Sequence, residues 1–201
     1  SGFVTAGVED DRRFIRGEIE RLGYQCRSHA DEKNFGVLGL QAQLRKLGLL
    51  GNKHIPATYL RASSSQRLSL LQGLIDTDGY VAKDGQVEFT SIKLELAVSV
   101  RELVNTLGYK ASLITGRATI DGRDCGAKYR VMFYMPDAAR LPRKRARCVA
   151  PLHSPSRYIS IRECGTADTV CIQVNSSSRM FLCGQTLLPT HNSELVSRRL
   201  P

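Results

Sequence analysis

The sequence has no tryptophan, no CxxC pair and no apolar run near the ~18 residues that span a membrane. Its six cysteines stand apart from one another, which argues against a zinc site. The N-terminal residues do not have the basic-then-apolar order of a secretory signal. We therefore expect free thiols, a cytoplasmic location and no membrane partner.

Acidic residues are in the minority. The 201 residues include 29 Lys and Arg against 19 Asp and Glu, which gives a formal net charge of +10. Such a balance indicates a polyanionic partner, and nucleic acid is favoured because no basic amphipathic anchor is visible. The length permits one domain or two small ones, and it suffices to bury roughly 70% of the unfolded surface.

Strand and helix signals alternate over the first 135 residues. Apolar periodicity predicts helices over 10–22, 40–47, 65–75 and 94–107, and strands over 3–7, 35–38, 86–92, 111–115 and 128–135. The basic stretch 140–147 is typical of a solvated connector or of a segment that contacts phosphates. Beyond it, short β-type runs at 158–163, 169–174 and 180–182 predict a second, β-rich unit.

An internal repeat is visible at an offset of 85 residues. The tripeptide Leu-Gly-Tyr ends the helical segment at 22–24 and again at 107–109, and a strand signal precedes each helix. Leu-Gly-aromatic is a common helix ending, so two unrelated helix ends are the alternative. The shared order of the flanking elements favours a duplication.

The segment Leu71–Gly79, LQGLIDTDG, closes the helix predicted from residue 65. Gly73 would allow another helix backbone to approach, and Gly79 is expected to adopt a positive φ. Asp78 lies at the helix C-terminus, where a carboxylate is electrostatically unfavourable. Something should compensate for it, and a divalent cation is one candidate. The alternative is an Asp-rich loop that ends a core helix.

This segment resembles the LAGLIDADG motif of homing endonucleases at seven of nine positions. The resemblance implies that Asp78 binds Mg²⁺ for hydrolysis of double-stranded DNA and that Asp76 is its packing or capping neighbour. A metal ion of this kind activates water and stabilises charge on the attacking and leaving oxygens. The segment 52–56, NKHIP, resembles the Lys-x-Ile-Pro sequence that precedes the second motif in such enzymes. Lys53 is then a phosphate-binding or water-polarising lysine, or otherwise a surface residue.

The repeat and the resemblance together place a first LAGLIDADG helix just upstream of Ser1. The chain is therefore expected to be a fragment or a processed product that lacks one of two metal-binding acids and does not cleave DNA alone. Basic residues on the predicted strands could line a DNA groove, but the strand register that decides this is not fixed by the sequence. They are Lys110, Arg117, Arg123, Lys128 and Arg130.

The C-terminal sequence Thr190-His191-Asn192-Ser193 groups reactive side chains. The amide of Asn192 can attack its own main-chain carbonyl and break the chain as a succinimide. His191 is suited to proton transfer near neutral pH, and Ser193 offers a hydroxyl nucleophile just beyond that bond.

The longer segment 169–193, TVCIQVNSSSRMFLCGQTLLPTHNS, resembles the two C-terminal splicing blocks of inteins. The resemblance implies that Asn192 cyclises with the help of His191 and that Ser193 is the first residue of the downstream extein. Cys171 with Thr190 resembles the class whose first nucleophile is this internal cysteine; the alternative for Cys171 is a buried structural cysteine. That class also uses a Trp in the N-terminal splicing half, which this chain lacks.

The implied fold is α+β: an αββαββα LAGLIDADG domain without its first helix, followed by the β-rich C-terminal part of a Hint splicing domain. The expected limits are 1–140 for the endonuclease domain, 141–157 for a basic linker, 158–192 for the splicing region and 193–201 for an extein fragment. The implied partners are double-stranded DNA, the missing N-terminal intein half and the flanking exteins.

The final nine residues, SELVSRRLP, resemble the segment that follows a P-loop in phage terminase large subunits. Another P-loop ATPase, such as a replicative helicase, is the alternative host, and the expected setting is the cytoplasm of a bacterial or phage-infected cell. For the endonuclease-like part, the alternative function is a non-catalytic DNA-binding module on a degenerate LAGLIDADG scaffold.

Overall fold

The computed structural model of the protein describes residues 2–30, 33–152, 160, 162–163, 165–168 and 170–191. Helices and strands alternate over the first 135 residues, as the periodicity predicts. Within these described ranges, no helix is long and apolar enough to cross a membrane.

The first repeat is a three-stranded antiparallel sheet with one long helix. Its elements are β1 (Phe3–Thr5), α1 (Glu9–Arg21), β2 (Cys26–Ser28) and β3 (Asn34–Val37), and the strand order is β1-β3-β2. Three acidic residues occupy the first turn of α1, where they complement the positive end of the helix dipole. A short helix, α2 (Leu40–Lys46), follows β3.

The second repeat has the same topology with longer strands. Its elements are β5 (Val87–Ser91), α5 (Leu94–Thr106), β6 (Ala111–Ile120) and β7 (Arg123–Phe133), in the order β5-β7-β6. Strand β4 (Gly79–Val81) extends this sheet along the outer edge of β5. Helices α3 (Ala57–Leu60) and α4 (Ser64–Asp78) connect the repeats.

The two long helices of the repeats end in the same way. The Tyr24 N–H donates to Ile19 O at 3.3 Å, and the Tyr109 N–H donates to Val104 O at the same distance. The intervening glycines, Gly23 and Gly108, have φ of 86° and 89°. Equivalent hydrogen bonds at an offset of 85 residues, together with the matching strand orders, support the duplication predicted from the sequence.

The main core lies between the second sheet and helices α4 and α5. Alternate strand residues point toward the helices, because successive side chains of a strand face opposite sides. The fully buried side chains at this interface are Leu71, Ile75, Val87, Val100, Leu103, Val104 and Val131.

Helix α4 begins at a reciprocal cap. The Gln66 N–H donates to Ser63 Oγ at 3.3 Å, and the Ser63 N–H donates to Gln66 Oε1 at 3.1 Å. The helix runs three residues beyond its predicted end at Ile75 and includes Asp76 and Asp78. Gly73 is exposed, and no described atom would lie within 4 Å of a Cβ added there.

The predicted β-rich unit is present only in part. Strands β8 (Phe181–Cys183) and β9 (Leu188–Thr190) form an antiparallel hairpin. Residues 170–174 have no strand structure, contrary to the prediction for 169–174. Val170 and Ile172 are exposed, so this run has no buried face of the kind that fixes a strand. Much of 158–163 lies outside the described residues.

Candidate nucleic-acid interface

The C-terminal end of α4 is stabilised by Lys144. Its Nζ donates to Ile75 O at 2.7 Å and to Asp76 O and Gly79 O, each at 2.8 Å. The last carbonyls of a helix have no partner within the helix, and a cation there also complements the negative end of the dipole. Lys144 therefore supplies a positive charge at the helix end that also contains the Asp78 carboxylate.

The side chain of Asp76 in turn binds the backbone of the chain segment that contains Lys144. Its carboxylate accepts the backbone N–H groups of Arg140 and Leu141 at 3.1 Å, just before helix α6 (Pro142–Arg145). Asp76 thus packs against a segment 64 residues later, and no described side chain caps the first turn of α6. Burial raises the pKa of the Asp76 carboxyl, against the lowering effect of these N–H groups.

The packing of α6 corrects the expectation of a basic linker over 141–157. Leu141 is 1% exposed and Lys144 only 7% exposed, so the start of this segment belongs to the folded domain. Burial lowers the pKa of the Lys144 ammonium. The sequence pattern does not reveal this because five basic residues in eight suggest a solvated stretch, and the buried lysine is satisfied by distant carbonyls.

Gly79 is required for space rather than for a positive φ. Its φ of −92° and ψ of 165° are extended, contrary to the expectation of a left-handed residue. A Cβ at this position would lie 2.7 Å from Ile75 Cα and 2.8 Å from Ile75 O. Glycine therefore lets the chain turn directly from α4 into β4.

Asp78 is exposed at the end of α4. Within the described ranges, no group of three or more His, Cys, Asp or Glu side chains could hold a metal ion. Mg²⁺ is usually bound by one or two carboxylates together with phosphate oxygens and several waters. One exposed carboxylate thus fits a Mg²⁺ ion that shares its ligands with a phosphate, and it does not form a complete metal cage.

Lys53 lies in an exposed loop that leads into α3. Ile55, two residues later, is buried in the main core and anchors this loop. The His54 ring Nδ1 lies 2.9 Å from Asn52 O, which shapes the same turn. The Lys-x-Ile-Pro sequence thus combines a solvent-facing lysine with a packed isoleucine.

The sheet of the second repeat has one face covered by helices and one open face. Cross-strand pairs place Glu88 with Met132, Thr90 with Arg130 and Gly116 with Lys128. These residues alternate with the buried ones and therefore lie on the open face. A Cβ added to Gly116 would lie 3.6 Å from Lys128 Cε, so the lysine stem extends over this glycine.

The register separates the five basic residues predicted to line a DNA groove. Lys128 and Arg130 share the open face. Arg117 pairs with Ala127 on the helix-facing register just before the strand irregularity at 117–119, and its guanidinium binds the Asp124 carboxylate. The remaining two lie at ends: Lys110 precedes β6, and Arg123 begins β7 beside the turn.

Arg130 is held by an acidic neighbour on the open face. Its Nε donates to Glu88 Oε1 at 2.8 Å, and its second guanidinium contact, to Glu88 Oε2, measures 2.5 Å. This guanidinium holds the pKa of Glu88 below its ordinary value. The pair fixes Arg130 in place and offsets its charge, so Lys128 is the stronger candidate for a phosphate contact.

The open face of the first repeat has basic residues that the sequence analysis did not select. A depression of about 630 Å³ there is lined by Phe3, Arg27, His29 and Arg45, among others. The Phe3 and His29 rings meet edge to face with centroids 5.4 Å apart. Arg27 pairs with Gly36 on this face, and the sequence could not have placed it there because the strand register was not fixed.

Three of the predicted splicing residues lie in the described part of the chain. Thr190 is half-buried at the end of β9, and His191 follows it in an exposed position. Cys171 is exposed, so the alternative of a buried structural cysteine is not what the structure shows. Asn192, Ser193 and the extein fragment 193–201 lie outside the described residues.

Comparisons with known proteins found similarity over α4 and the second repeat. Residues 65–134, from the first turn of α4 to the end of β7, match the family model of the LAGLIDADG-like domain. Residues 65–134 are therefore similar to a LAGLIDADG-like domain, and Asp78 and the open face of the second sheet lie within these residues. Lys144 lies outside the matched residues.

Two curated relatives are DNA helicases by name. The chain is 37% identical over 163 residues to the replicative DNA helicase DnaB of Mycobacterium intracellulare, covering 78% of this chain and 28% of that protein. It is also 37% identical over 68 residues to the ATP-dependent DNA helicase Hel308 of Thermococcus kodakarensis, covering 31% of this chain and 6% of that protein. The chain thus spans less than a third of the length of either relative.

Solved structures with a similar backbone include the homing endonuclease I-DmoI in complex with DNA and calcium. That match has 12% identity and a TM-score of 0.47, and it covers 72% of this chain and 80% of that one. An I-DmoI variant with its target DNA in the presence of magnesium has 12% identity and a TM-score of 0.42, covering 68% and 74%.

Proposed function

We propose that the chain is the C-terminal part of an intein whose LAGLIDADG-like domain binds double-stranded DNA and supplies one half of a Mg²⁺-dependent endonuclease site. The proposal depends on one observation above all: the matched domain ends its first helix at an exposed carboxylate, Asp78, and presents a basic open sheet face. We propose Asp78 as the metal ligand and Lys53 as the lysine that binds a phosphate or polarises water.

DNA binding is proposed to use the open faces of the sheets. Arg130 is hydrogen-bonded to Glu88, whereas Lys128 interacts with Glu88 through its charge, which helps to lower the pKa of that carboxyl. Phosphate contacts of this kind fix the position of a protein on the duplex without reading its sequence. When bound, Mg²⁺ would activate water and stabilise the charge that develops on the phosphate oxygens.

For splicing, we propose that the thiolate of Cys171 attacks the upstream junction carbonyl, so that a thioester forms, the junction peptide bond breaks and the amino group of the first intein residue leaves with a proton. The hydroxyl of Ser193 then takes the acyl group as an ester and frees the Cys171 thiol. The side-chain amide of Asn192 attacks its own main-chain carbonyl, so that the Asn192–Ser193 bond breaks as the succinimide forms, and His191 gives a proton to the leaving amino group of Ser193. That amino group finally takes the acyl group from the ester oxygen and forms the new peptide bond. The exposure of Cys171 supports its access to a junction. The similarity to a replicative helicase over 28% of that protein supports a helicase, rather than a terminase, as the host.

The endonuclease proposal predicts that Asp78→Asn in the complete protein lowers Mg²⁺-dependent DNA cleavage at least about a hundredfold. DNA affinity should remain within about twofold, because the change removes a metal ligand and no phosphate contact. Cleavage of a plasmid that contains the host-gene insertion site measures the first quantity, and a gel-shift titration measures the second.

Asp84→Asn is the matched control, since Asp84 is an exposed aspartate whose Oδ1 accepts the Gln86 N–H, a contact that asparagine can keep. Undiminished cleavage by Asp78→Asn would contradict the metal-ligand assignment. DNA binding without cleavage in the unmodified protein would favour the non-catalytic DNA-binding module instead.

The splicing proposal predicts that Asn192→Ala blocks release of the downstream peptide. Cys171→Ala should block cleavage at the upstream junction and leave some Asn192 cyclisation, because the two steps use different atoms. Gel electrophoresis of precursor and products, with an intact upstream half, measures both. Cys183→Ala, which removes another exposed thiol, is the control and should splice normally. Normal splicing by Cys171→Ala would refute the internal-nucleophile step.

A further inference from the structure

One short segment, residues 140–144, contacts α1 of the first repeat and the end of α4, the helix that leads into the second repeat. Toward α4, its backbone N–H groups bind the Asp76 carboxylate and Lys144 binds three carbonyls at the helix end. Leu141 packs in the interior at 1% exposure. The segment is therefore fixed to the element that leads into the second repeat.

Toward the first repeat, the same segment makes two ion pairs with α1. The Nε of Arg143 donates to Asp11 Oδ2 at 2.7 Å, and the guanidinium of Arg140 binds the carboxylate of Glu18. Asp11 is only 6% exposed. A buried carboxylate needs a partner, because a charge left alone away from water is strongly destabilising.

The ion pairs bear on how the repeats are arranged. Each repeat has its own small sheet with an open face, and no strand pairing joins the two sheets in the described part of the chain. A rigid link between α1 and α4 would hold these faces at a constant angle. Residues 140–144 are suited to this role because their contacts join α1 of the first repeat to α4, the helix that leads into the second repeat.

We propose that residues 140–144 form a clasp that fixes the two repeats against each other, so that their open faces form one DNA-binding surface. Asp11 and Arg143 are then positioning residues for DNA binding, although neither needs to touch DNA. The proposal rests on the DNA-binding function proposed above.

The test uses a substitution that should raise DNA affinity through its charge and lower DNA affinity through its effect on the arrangement of the repeats. Asp11→Arg adds two positive charges, which by attraction alone would strengthen binding to DNA. By opening the clasp, it should instead weaken the affinity for a mixed-sequence duplex of about 30 base pairs by about fivefold or more. The exchange Asp11→Arg with Arg143→Asp keeps the net charge of the unmodified chain and should restore affinity to within about twofold.

Asp10→Arg is the matched control. Asp10 is the preceding residue of α1, its side chain is 90% exposed, and its substitution makes the same change in net charge. It should leave affinity unchanged or strengthen it. Asp11→Asn, which is nearly isosteric, gives a second way to break the pair if the arginine variant does not fold.

Fluorescence anisotropy measures DNA affinity, and ¹⁵N relaxation measures whether residues 2–47 and 79–133 tumble with one correlation time. We expect one correlation time in the unmodified chain and in the exchange variant, and two in Asp11→Arg and Asp11→Asn. Stronger DNA binding by Asp11→Arg, or a single correlation time in both Asp11 variants, would overturn the clasp. An unmodified chain that tumbles as one body but does not bind DNA would instead overturn the DNA-binding proposal, and the relaxation data would still decide the clasp.

Discussion

At the scale of single residues, the end of α4 depends on an exchange of contacts between Lys144 and Asp76. The ammonium binds carbonyls of the helix that contains the aspartate, and the carboxylate binds N–H groups of the segment that contains the lysine. Each charge thereby satisfies backbone groups that would otherwise be buried without partners. Asp78, between two of the bound carbonyls, remains exposed beside this fixed backbone.

These contacts of Lys144 predict that Lys144→Met lowers the free energy of unfolding by about 2–4 kcal/mol. Methionine keeps much of the apolar stem but cannot donate to the three carbonyls. Urea denaturation followed by circular dichroism measures the change. Arg145→Met, one residue along α6 with a 65% exposed side chain, should alter stability little; an equal loss in both variants would show that Lys144 has no special role.

Residue types and spacing in the sequence predicted Asp78 at a helix end, and the resemblance to the LAGLIDADG motif implied that Asp76 is its packing or capping neighbour. They did not predict Lys144, because its partners lie 65 to 69 residues away and the lysine stands among four other basic residues. Nor did they predict the steric reason for Gly79, which depends on how closely Ile75 approaches. A local sequence pattern gives no information about contacts between distant segments.

At the scale of secondary-structure elements, the β5-β7-β6 sheet separates charges by the face on which they lie. Arg130 and Glu88 form an ion pair on the open face, and Arg117 pairs with Asp124 on the long hairpin. Strand alternation and hairpin turn residues predicted the strands themselves. The register, and with it the face of each basic residue, became clear only from the pairing across strands.

The depressed pKa of Glu88 predicts a pH-dependent contribution to stability. Because its folded-state pKa lies below the ordinary glutamate pKa of about 4.5, the ionised group stabilises the fold above about pH 4.5, and this contribution is lost as pH falls through the lower folded-state value. Glu88→Gln should therefore lower the melting temperature by a few degrees at pH 7 and by less at pH 3. Calorimetry at both values measures this, and a difference independent of pH would argue against the ion pair as its cause.

At the scale of the whole molecule, the chain combines a net charge of +10 with two repeats of the same topology. The charge alone indicated a polyanionic partner, and the fold shows which basic residues share an open face. The predicted α+β class and the internal repeat agree with the structure, because both depend on periodicities that recur along the chain. The packing of residues 140–144 against α4 did not follow from them, because it joins parts of the chain without a shared pattern.

The placement of Lys128 predicts a change in the salt dependence of DNA binding. If this lysine neutralises one phosphate, Lys128→Ala should reduce the slope of log affinity against log salt by about one. Lys93→Ala removes the same charge at the start of α5, the helix that covers the other face, and should leave the slope nearly unchanged. Equal slopes for the two variants would place the DNA on some other surface.

The long sequence separation between α4 and the clasp has a consequence for synthesis. Helix α4 is synthesised well before Lys144. The carbonyls at the helix end therefore have no ammonium partner until the ribosome has added a further 65 or more residues. Chains stopped before position 144 should leave this end frayed and the two repeats unlinked. The backbone around Asp78 is thus fixed only after the ribosome has synthesised residues that lie beyond the matched segment 65–134.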